Sequence, residues 1–316
     1  MNSIVKKLFS LIVTVLAISL VTFIVFSLIP GNAVLARLGV DATPEQIAAM
    51  EQQLGLNDPV LVRYFRWLGG ALTGDFGQSL QYSGVSVSEL LSSRLPVTLV
   101  LSGLSLALIV IFSVPIALVG VRLRDSVFDR LMTVLGQILM AVPAFFLGIL
   151  MTYIFGLMLR WFRPGAYPSL TEEPVKAIRY LIFPAITIAL PKIAMTVRFL
   201  KSAVKGELGM DYVRTARAHG SSEGRVLTHH VLKNAMIPVI TFVALILAEI
   251  LAGSIVAEQV FSVPGLGRLL ITSISGRDYP VVQAIVMYIT TVVVTLNFLV
   301  DVLYRAVDPR LKRGGV

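Results

Sequence analysis

The sequence contains no cysteine and little charge over its 316 residues. Without cysteine, a disulfide framework, a thiolate metal site and a cysteine nucleophile are all excluded. Charged residues make up 14% of the chain and hydrophobic residues 56%, whereas a soluble domain has about 25% charged residues. The net charge of +9 comes from basic residues in short loops between apolar segments, as expected beside an anionic membrane surface rather than for nucleic-acid binding. The composition therefore predicts an integral membrane protein.

Motifs of several hydrolytic classes are also missing. The sequence has no Gly-x-x-x-x-Gly-Lys-Ser/Thr phosphate loop, no His-Glu-x-x-His and no Gly-x-Ser-x-Gly. Ser202 and Lys205 have the spacing of a serine-lysine acylase but lack its other elements. His219, His229 and His230 fall in one polar loop, and the adjacent pair would point to different helix faces, which disfavours a metal site. We predict neither a catalytic residue nor a metal site in this chain.

Six segments are long and apolar enough to cross a bilayer, which takes about 20 helical residues. The first is too long for the apolar core of a signal peptide, and no small-x-small cleavage site follows it. If the N-terminus is cytoplasmic, the segments on the cytoplasmic side are richer in Lys and Arg than the segments on the outer side. Because cytoplasmic loops carry an excess of these residues, we predict that both termini are cytoplasmic. The sequence thus predicts an all-α polytopic membrane protein. The six transmembrane helices would cover approximately residues 9–29, 97–121, 131–159, 180–200, 236–257 and 281–304.

The long outside segment, residues 30–95, carries its own helix signals. Thr43 and Gln46 have the spacing of a capping box, with Pro44 at the first helical position and Gly55 suited to the left-handed turn at the end. A second helix would follow Asp58-Pro59. We expect a small helical cap that packs against the bundle, in preference to one that contacts a ligand. Its apolar faces would be formed by Ile47, Met50 and Leu54 and by Tyr64, Trp67 and Leu68.

Charged and kinking residues also occur within the spans. Lys192 and Glu249 lie in apolar surroundings, where an unpaired charge costs at least ~2.5 kcal/mol. Each therefore needs a partner or a wet cavity, and two interpretations stay open: they line a substrate path, or they form a buried pair or a contact to a second subunit. Prolines free backbone carbonyls inside the spans, which suits either a translocation path or ordinary helix packing. These prolines are Pro115, Pro143, Pro184 and Pro191.

The polar segment 201–235 interrupts two apolar spans and would be a cytoplasmic loop. Its helix-forming Ala and Arg residues around Gly220 are what a membrane protein presents to a soluble partner. Gly220 would let the chain turn sharply between two helices, and Ser221 or Ser222 could cap the second. Side chains able to meet an acidic rim on the partner are Arg214, Arg217 and Arg225. The candidate docking residues are Asp211, Arg214, Thr215, Ala216, Arg217, Gly220, Ser221, Ser222 and Glu223.

Short motifs follow one another along nearly the whole chain. They are Ile-Pro-Gly-Asn at 29–32, Leu-Gly-Leu-Asn-Asp-Pro at 54–59, Gly-Asp-Phe-Gly-Gln-Ser at 74–79, Arg-Leu-Pro-Val-Thr at 94–98, Asp-Tyr-Val-Arg-Thr-Ala-Arg-Ala-His-Gly at 211–220, Glu-Gln-Val-Phe-Ser-Val-Pro-Gly-Leu-Gly at 258–267, Arg-Asp-Tyr-Pro at 277–280 and Asp-Pro-Arg at 308–310. Each is weak alone, but in this order they are highly specific. With them, the chain resembles the inner-membrane permease subunits of bacterial ABC importers for dipeptides, oligopeptides or nickel.

The resemblance implies a type I ABC importer permease fold with a helical extracellular insertion between transmembrane helices 1 and 2. Its parts would be an N-terminal helix at 1–29, the extracellular or periplasmic cap at 30–95, and a permease core at 96–316 with the coupling loop at 201–235. In this family the loop holds an EAA motif, Glu-Ala-Ala-x-x-x-Gly, which docks as a short coupling helix into a groove of the ATPase subunit. Here Arg214, Thr215 and Ala216 take the lead positions before Gly220, and Pro238 falls later than the general spacing expects.

The resemblance also implies partners and a mechanism. A homologous second permease would complete the pathway as a heterodimer, two ATPase subunits would bind ATP and Mg, and an extracellular binding protein would deliver substrate to the cap and the 262–267 turn. The chain itself would hold no cofactor and would lie in the bacterial plasma (inner) membrane. Transport would occur by alternating access.

Two other functions stay open at this point. The same motifs occur in nickel permeases, so nickel or metal-chelate uptake by the same architecture is an alternative to peptide uptake. An ion-coupled secondary transporter that works alone, with Lys192 or Glu249 as its ion site, is an alternative of another class. An intramembrane hydrolase is disfavoured, because it would need a nucleophile with a base that the sequence does not show.

Overall fold

A computed structural model describes residues 3–28, 42–53, 55 and 57–307 of the chain. The motifs at 29–32 and 308–310 lie outside the described residues, as does Leu54 on the predicted face of the cap. The side chain of Met50 on that face also falls outside the description.

The described residues are almost entirely helical. The first helices are α1 (Ser3–Leu28), α2 (Pro44–Gln53), α3 (Val60–Thr73) and α4 (Val87–Arg122). They are followed by α5 (Val127–Ala141), α6 (Ala144–Met151) with a π-helical continuation (Thr152–Met158), α7 (Pro174–Leu208) and α8 (Asp211–Ala218). A helical turn (Glu223–Arg225) and a π-helical turn (Val226–Val231) lead directly into α9 (Leu232–Val260), and α10 (Leu266–Ser275) and α11 (Tyr279–Val307) complete the described chain.

The prediction of an all-α protein with six spans is confirmed. Five of the helices are long and apolar enough to cross a membrane, and the number is six when α5 and the helix after it count as one bent span. The sequence places a kinking proline, Pro143, in that span, and the two halves meet next to it at an angle of 102°. Val142 is extended, with φ −77° and ψ 127°, as expected for a residue whose helical conformation clashes with the following proline. The other span prolines, Pro115, Pro184 and Pro191, lie within continuous helices.

The chain divides into two compact units. The first comprises Met1–Thr98 and Pro264–Thr295, and the second comprises Leu99–Val263 and Leu296–Val316. Helix α4 therefore begins in the first unit and ends in the second. The core of the first unit is formed by Val87, Leu91, Leu266, Leu269, Val281, Ala284 and Ile285. In the second unit, α7 and α9 pack along each other, and α5 and α6 also pack on this pair.

The cap has the local structure that its sequence predicts. The Thr43 N–H donates to Gln46 Oε1 at 3.0 Å, and the Gln46 N–H donates to Thr43 Oγ1 at 3.3 Å, which completes the capping box. Gly55 has a φ of +64° in the left-handed turn. On α3, Tyr64 is buried, its hydroxyl lies 2.7 Å from Ser19 Oγ of α1, and its ring contacts that of Phe23 at 5.6 Å. The second cap helix therefore packs on α1.

Candidate functional site

The centre of the predicted docking loop is a helical hairpin, residues 211–231, which we call the polar hairpin. Helix α8 ends at Ala218, and Gly220 has a φ of +78°. The Gly220 N–H donates to Arg217 O at 2.9 Å and the Ser221 N–H to Ala216 O at 3.2 Å, which closes the end of the helix. A Cβ added at Gly220 would meet no atom within 4 Å. The position thus requires glycine for its backbone conformation and not for space.

An ion pair bridges this turn. Arg217 Nε donates to Glu223 Oε1 at 2.8 Å, and its Nη2 donates to Glu223 Oε2 at 3.1 Å. The bidentate geometry fixes the two helical segments relative to each other, although salt screens a pair as exposed as this one. Ser222 occupies the N-cap position that the sequence suggested, but its side chain makes no capping hydrogen bond.

One side of the polar hairpin is buried against the transmembrane helices of its unit. Val213, Val226 and Val231 are fully buried in a cluster with Leu200 and Val204 of α7. Burying a valine side chain stabilises a fold by about 1.5–3 kcal/mol. The cluster also includes Ala117 of α4 and Ala235 and Val239 of α9. The polar hairpin is therefore attached to three membrane helices by apolar packing.

A polar contact adds to this attachment. The Tyr212 hydroxyl donates to Glu207 Oε2, at the end of α7, at 2.6 Å. Burial, and to a lesser degree the Glu207 carboxylate, hold the pKa of Tyr212 above its ordinary value. The hydroxyl therefore stays protonated and keeps donating at neutral pH.

The opposite side of the polar hairpin is exposed and basic. Arg214 has 79% of its side chain exposed and lies 3.5 Å from Asp211, which is 96% exposed. Arg225 is also exposed and makes no ion pair within the described part of the chain. His219 lies beside these residues, with Nδ1 2.8 Å from Thr215 O. Most of the predicted docking residues are exposed, but Ser221 is half-buried and Ala216 packs against the apolar cluster. Arg217 is exposed but engaged by Glu223. The exposed residues are Asp211, Arg214, Thr215, Arg217, Gly220, Ser222 and Glu223.

Lys192 and Glu249, the two charges predicted to need partners, pair with each other. Lys192 Nζ on α7 donates to Glu249 Oε2 on α9, and the side chains are 25% and 56% exposed. A pair within one chain was among the alternatives that the sequence left open. The partial exposure also leaves one side of the pair accessible.

A second ion pair escaped the sequence analysis. Lys201 Nζ donates to Asp129 Oδ1, and the side chains are only 15% and 14% exposed. A Cβ on Gly120 would lie 3.3 Å from the Asp129 carboxylate and 3.4 Å from the Lys201 ammonium. The glycine therefore lets α4 approach the pair closely. The sequence gives no sign of this pair, because Asp129 and Lys201 are 72 residues apart in the chain.

A third polar contact joins two of the short motifs. Asp278, from the motif at 277–280, is fully buried, and its carboxylate accepts from the hydroxyl of Ser79, from the motif at 74–79. The same carboxylate accepts the Leu80 N–H at 3.1 Å and the Gln81 N–H at 3.3 Å. Ser79 Oγ in turn accepts the Tyr82 N–H at 2.8 Å. Asp278 therefore organises the 79–82 turn, a role that neither motif reveals alone.

Nearly the whole chain matches two family models of transport proteins. Residues 109–313 match the family described as binding-protein-dependent transport system inner membrane component, and residues 1–102 match the N-terminal region of such components. The chain belongs to this family. It is a transmembrane permease subunit of an ATP-driven, binding-protein-dependent ABC importer, and it is an inner membrane component with several apolar helices.

Curated relatives of the permease match it along nearly its whole length. It is 34% identical over 309 residues to a probable peptide ABC transporter permease protein of Sinorhizobium fredii, covering 98% of each chain. It is 35% identical over 311 residues to the oligopeptide transport system permease protein AppB of Bacillus subtilis, again with 98% of each chain covered. The glutathione transport system permease protein GsiC of Salmonella paratyphi A is 38% identical over 312 residues, with 99% of each chain covered.

A solved structure supports the fold of the permease. One chain of a crystal structure described as an amino acid ABC transporter with histidines superposes with a TM-score of 0.52 at 16% identity. The match covers 69% of this chain and 94% of that chain. The predicted type I ABC importer permease fold is therefore confirmed.

Proposed function

We propose that this permease imports di- or oligopeptides, and that the polar hairpin transmits the work of ATP hydrolysis to its membrane helices. Two of the relatives above are named as peptide or oligopeptide permeases and one as a glutathione permease, which supports a peptide-like substrate. Nickel or metal-chelate uptake by the same architecture is the alternative that substrate identification would reveal.

The observation that carries the coupling role is the two-sided character of the polar hairpin. Its buried side packs Val213, Val226 and Val231 against α4, α7 and α9, so a displacement of the hairpin also displaces these helices. Its exposed side presents Arg214 and Arg225, whose charges suit an acidic groove on a soluble partner. A rigid lever between a motor and a helical bundle needs both properties.

The partners follow from the family and from this surface. A homologous second permease would form the other half of the pathway, because six spans line only part of it. Two ATPase subunits would bind ATP and Mg and dock on the polar hairpin, which therefore lies in the cytoplasm together with both termini. This chain supplies the path and the lever, without a cofactor or a catalytic residue of its own.

The substrate-binding protein would dock on the opposite face of the membrane. Its proposed contacts are the cap (30–95) and the 262–267 turn. The cap helices and the chain from Pro264 belong to the same compact unit, and Leu266 contributes to its core. The buried contact between Asp278 and Ser79 would give this surface a fixed shape.

Reconstitution would test the proposal. The permease, its second permease and the ATPase subunits are incorporated into proteoliposomes, and uptake of a labelled oligopeptide is measured with the binding protein and ATP. We expect uptake only when ATP, the ATPase and the binding protein are all present. Uptake by the permease alone, driven by an ion gradient, would instead indicate a secondary transporter. Mass spectrometry of the ligand that copurifies with the binding protein would distinguish a peptide from a metal chelate.

A further inference from the structure

A cavity outside the polar hairpin and the Lys192–Glu249 pair has the character of a binding site. It has a volume of about 770 Å³ and lies between α4, α5 and α7 of the second unit. Its size falls within the ~300–1,000 Å³ of pockets that hold small molecules. Most of its wall is apolar, with Phe112, Met140 and Ile193 among the lining side chains. Its charged groups gather at one end.

The depth of this cavity matches one leaflet of a bilayer. Its wall runs from Leu108 to Gly120 on α4 and from Asp129 to Met140 on α5. At a rise of 1.5 Å per residue these stretches are about 18 Å and about 17 Å long. Half of a hydrocarbon core that is ~30 Å thick is about 15 Å. The stretches that line the cavity are therefore about as long as one leaflet is thick, whereas a transmembrane helix of a neighbouring subunit would need a groove about twice as long.

The charged end carries an excess of positive charge. Arg198, Lys201 and Lys205 line it from α7, and their spacing of three and four residues places them on one helix face. Lys201 is neutralised by Asp129. Arg198 and Lys205 are exposed and make no ion pair within residues 57–307, the continuous part of the description that holds the cavity. Two cations thus flank the mouth of an apolar cavity, with the Ser202 hydroxyl between them.

We propose that this cavity binds one anionic phospholipid. The phosphate would contact Arg198 and Lys205, and an acyl chain would extend between α4, α5 and α7 toward Met140. Basic pockets between transmembrane helices bind anionic lipid head groups. A molecule with one charged end and a long apolar tail fits the distribution of charge along the cavity. The site is separate from the hairpin surface proposed for the ATPase.

Lipid retention tests the role of the two cations. The assembled transporter is placed in nanodiscs that hold equal amounts of phosphatidylglycerol and phosphatidylcholine, and the retained lipids are counted by native mass spectrometry. In Arg198→Gln/Lys205→Gln we expect retained phosphatidylglycerol to fall roughly tenfold or more. Arg122→Gln/Arg130→Gln, which removes two exposed basic residues that do not line the cavity, is the matched control and should retain it. Equal retention in both double variants would overturn the proposal.

Site-specific cross-linking tests the occupant without changing the cations. Because the chain has no cysteine, Gln137→Cys places a single thiol in the cavity wall, and Val134→Cys places one on an exposed part of α5 outside it. Each is labelled with benzophenone maleimide in the same nanodiscs and irradiated. We expect adducts at position 137 to be enriched several-fold in phosphatidylglycerol, and adducts at position 134 to follow the bulk composition. Bulk composition at both positions, or a cross-link from position 137 to another polypeptide, would show that a lipid site of this kind is absent.

Discussion

Lys192 of α7 and Glu249 of α9 form an ion pair within two helices that are each long and apolar enough to span the membrane. These helices also carry most of the apolar packing around the polar hairpin. The pair therefore joins the two membrane helices that would move when the hairpin moves. We expect its removal to lower the stability of the transporter.

Removing one partner of the Lys192–Glu249 pair should lower the stability of the transporter more than removing both partners. Lys192→Met alone leaves the Glu249 carboxylate uncompensated, at a cost of about 1–3 kcal/mol after allowance for its partial exposure. Lys192→Met/Glu249→Met removes both charges and should recover most of that loss. The thermal unfolding midpoint of the purified transporter, measured for the two single variants and the double variant, provides the test. A double variant less stable than either single variant would contradict a pairing role.

The turn of the polar hairpin should depend on glycine through its backbone alone. Gly220→Ala forces a side chain into the left-handed region at a cost of about 1–2 kcal/mol, and we expect ATP-driven uptake to fall several-fold while the protein still inserts in the membrane. Gly224→Ala is the matched control, because a Cβ there also meets no atom within 4 Å but the residue does not have a positive φ. Uptake and limited proteolysis of the hairpin are the measurements. Equal uptake by the two variants would contradict the prediction.

Charge reversal on the exposed side of the hairpin should separate the permease from its ATPase. In Arg214→Glu/Arg225→Glu, carboxylates would face the proposed acidic groove, and we expect ATPase copurification to fall at least tenfold, which corresponds to about 1.4 kcal/mol. Arg122→Glu/Arg130→Glu reverses two exposed charges elsewhere on the second unit and should leave copurification unchanged. If both double variants lose the ATPase equally, a general charge effect is responsible and the hairpin is not the docking surface.

Substitution of Asp278, whose carboxylate is buried in the first unit, should destabilise the protein strongly. Asp278→Ala leaves the buried Leu80 N–H and its neighbour at Gln81 without an acceptor, and an unsatisfied buried donor costs about 1–3 kcal/mol. We expect a loss of several kcal/mol in stability and weaker docking of the binding protein. Asp75→Ala removes an exposed carboxylate that accepts a single bond, from the Gly77 N–H at 2.9 Å, and should cost less than about 1 kcal/mol. Thermal unfolding and binding-protein pull-down would measure both, and comparable losses would argue against a special role for Asp278.

Features that depend on neighbouring residues were predicted correctly from the sequence. The six apolar segments were recognisable because a bilayer imposes a minimum length on every span. The capping box of Thr43 and Gln46 and the glycine turn at Gly55 were recognisable because each is complete within a few residues. The turn at Gly220 was recognisable for the same reason.

The bend in the third span could not be predicted from neighbouring residues alone. Pro143 was noted together with Pro115, Pro184 and Pro191, and all of them carry the same local signal. Only Pro143 stands at a break among these prolines, since packing against neighbouring helices decides whether the helix continues past a proline.

The sequence by itself determined the class of the protein, its membrane helices and the position of its hairpin, because hydrophobic length, capping and glycine turns are properties of short stretches. Only the tertiary structure decided which polar and charged groups meet. Lys192 pairs with Glu249, Lys201 with Asp129, and Asp278 with Ser79. The partners in each pair are far apart in the chain, and local spacing carries no information about them. Their contacts arise only when packed helices bring distant polar groups together in surroundings where an unpaired one would be costly.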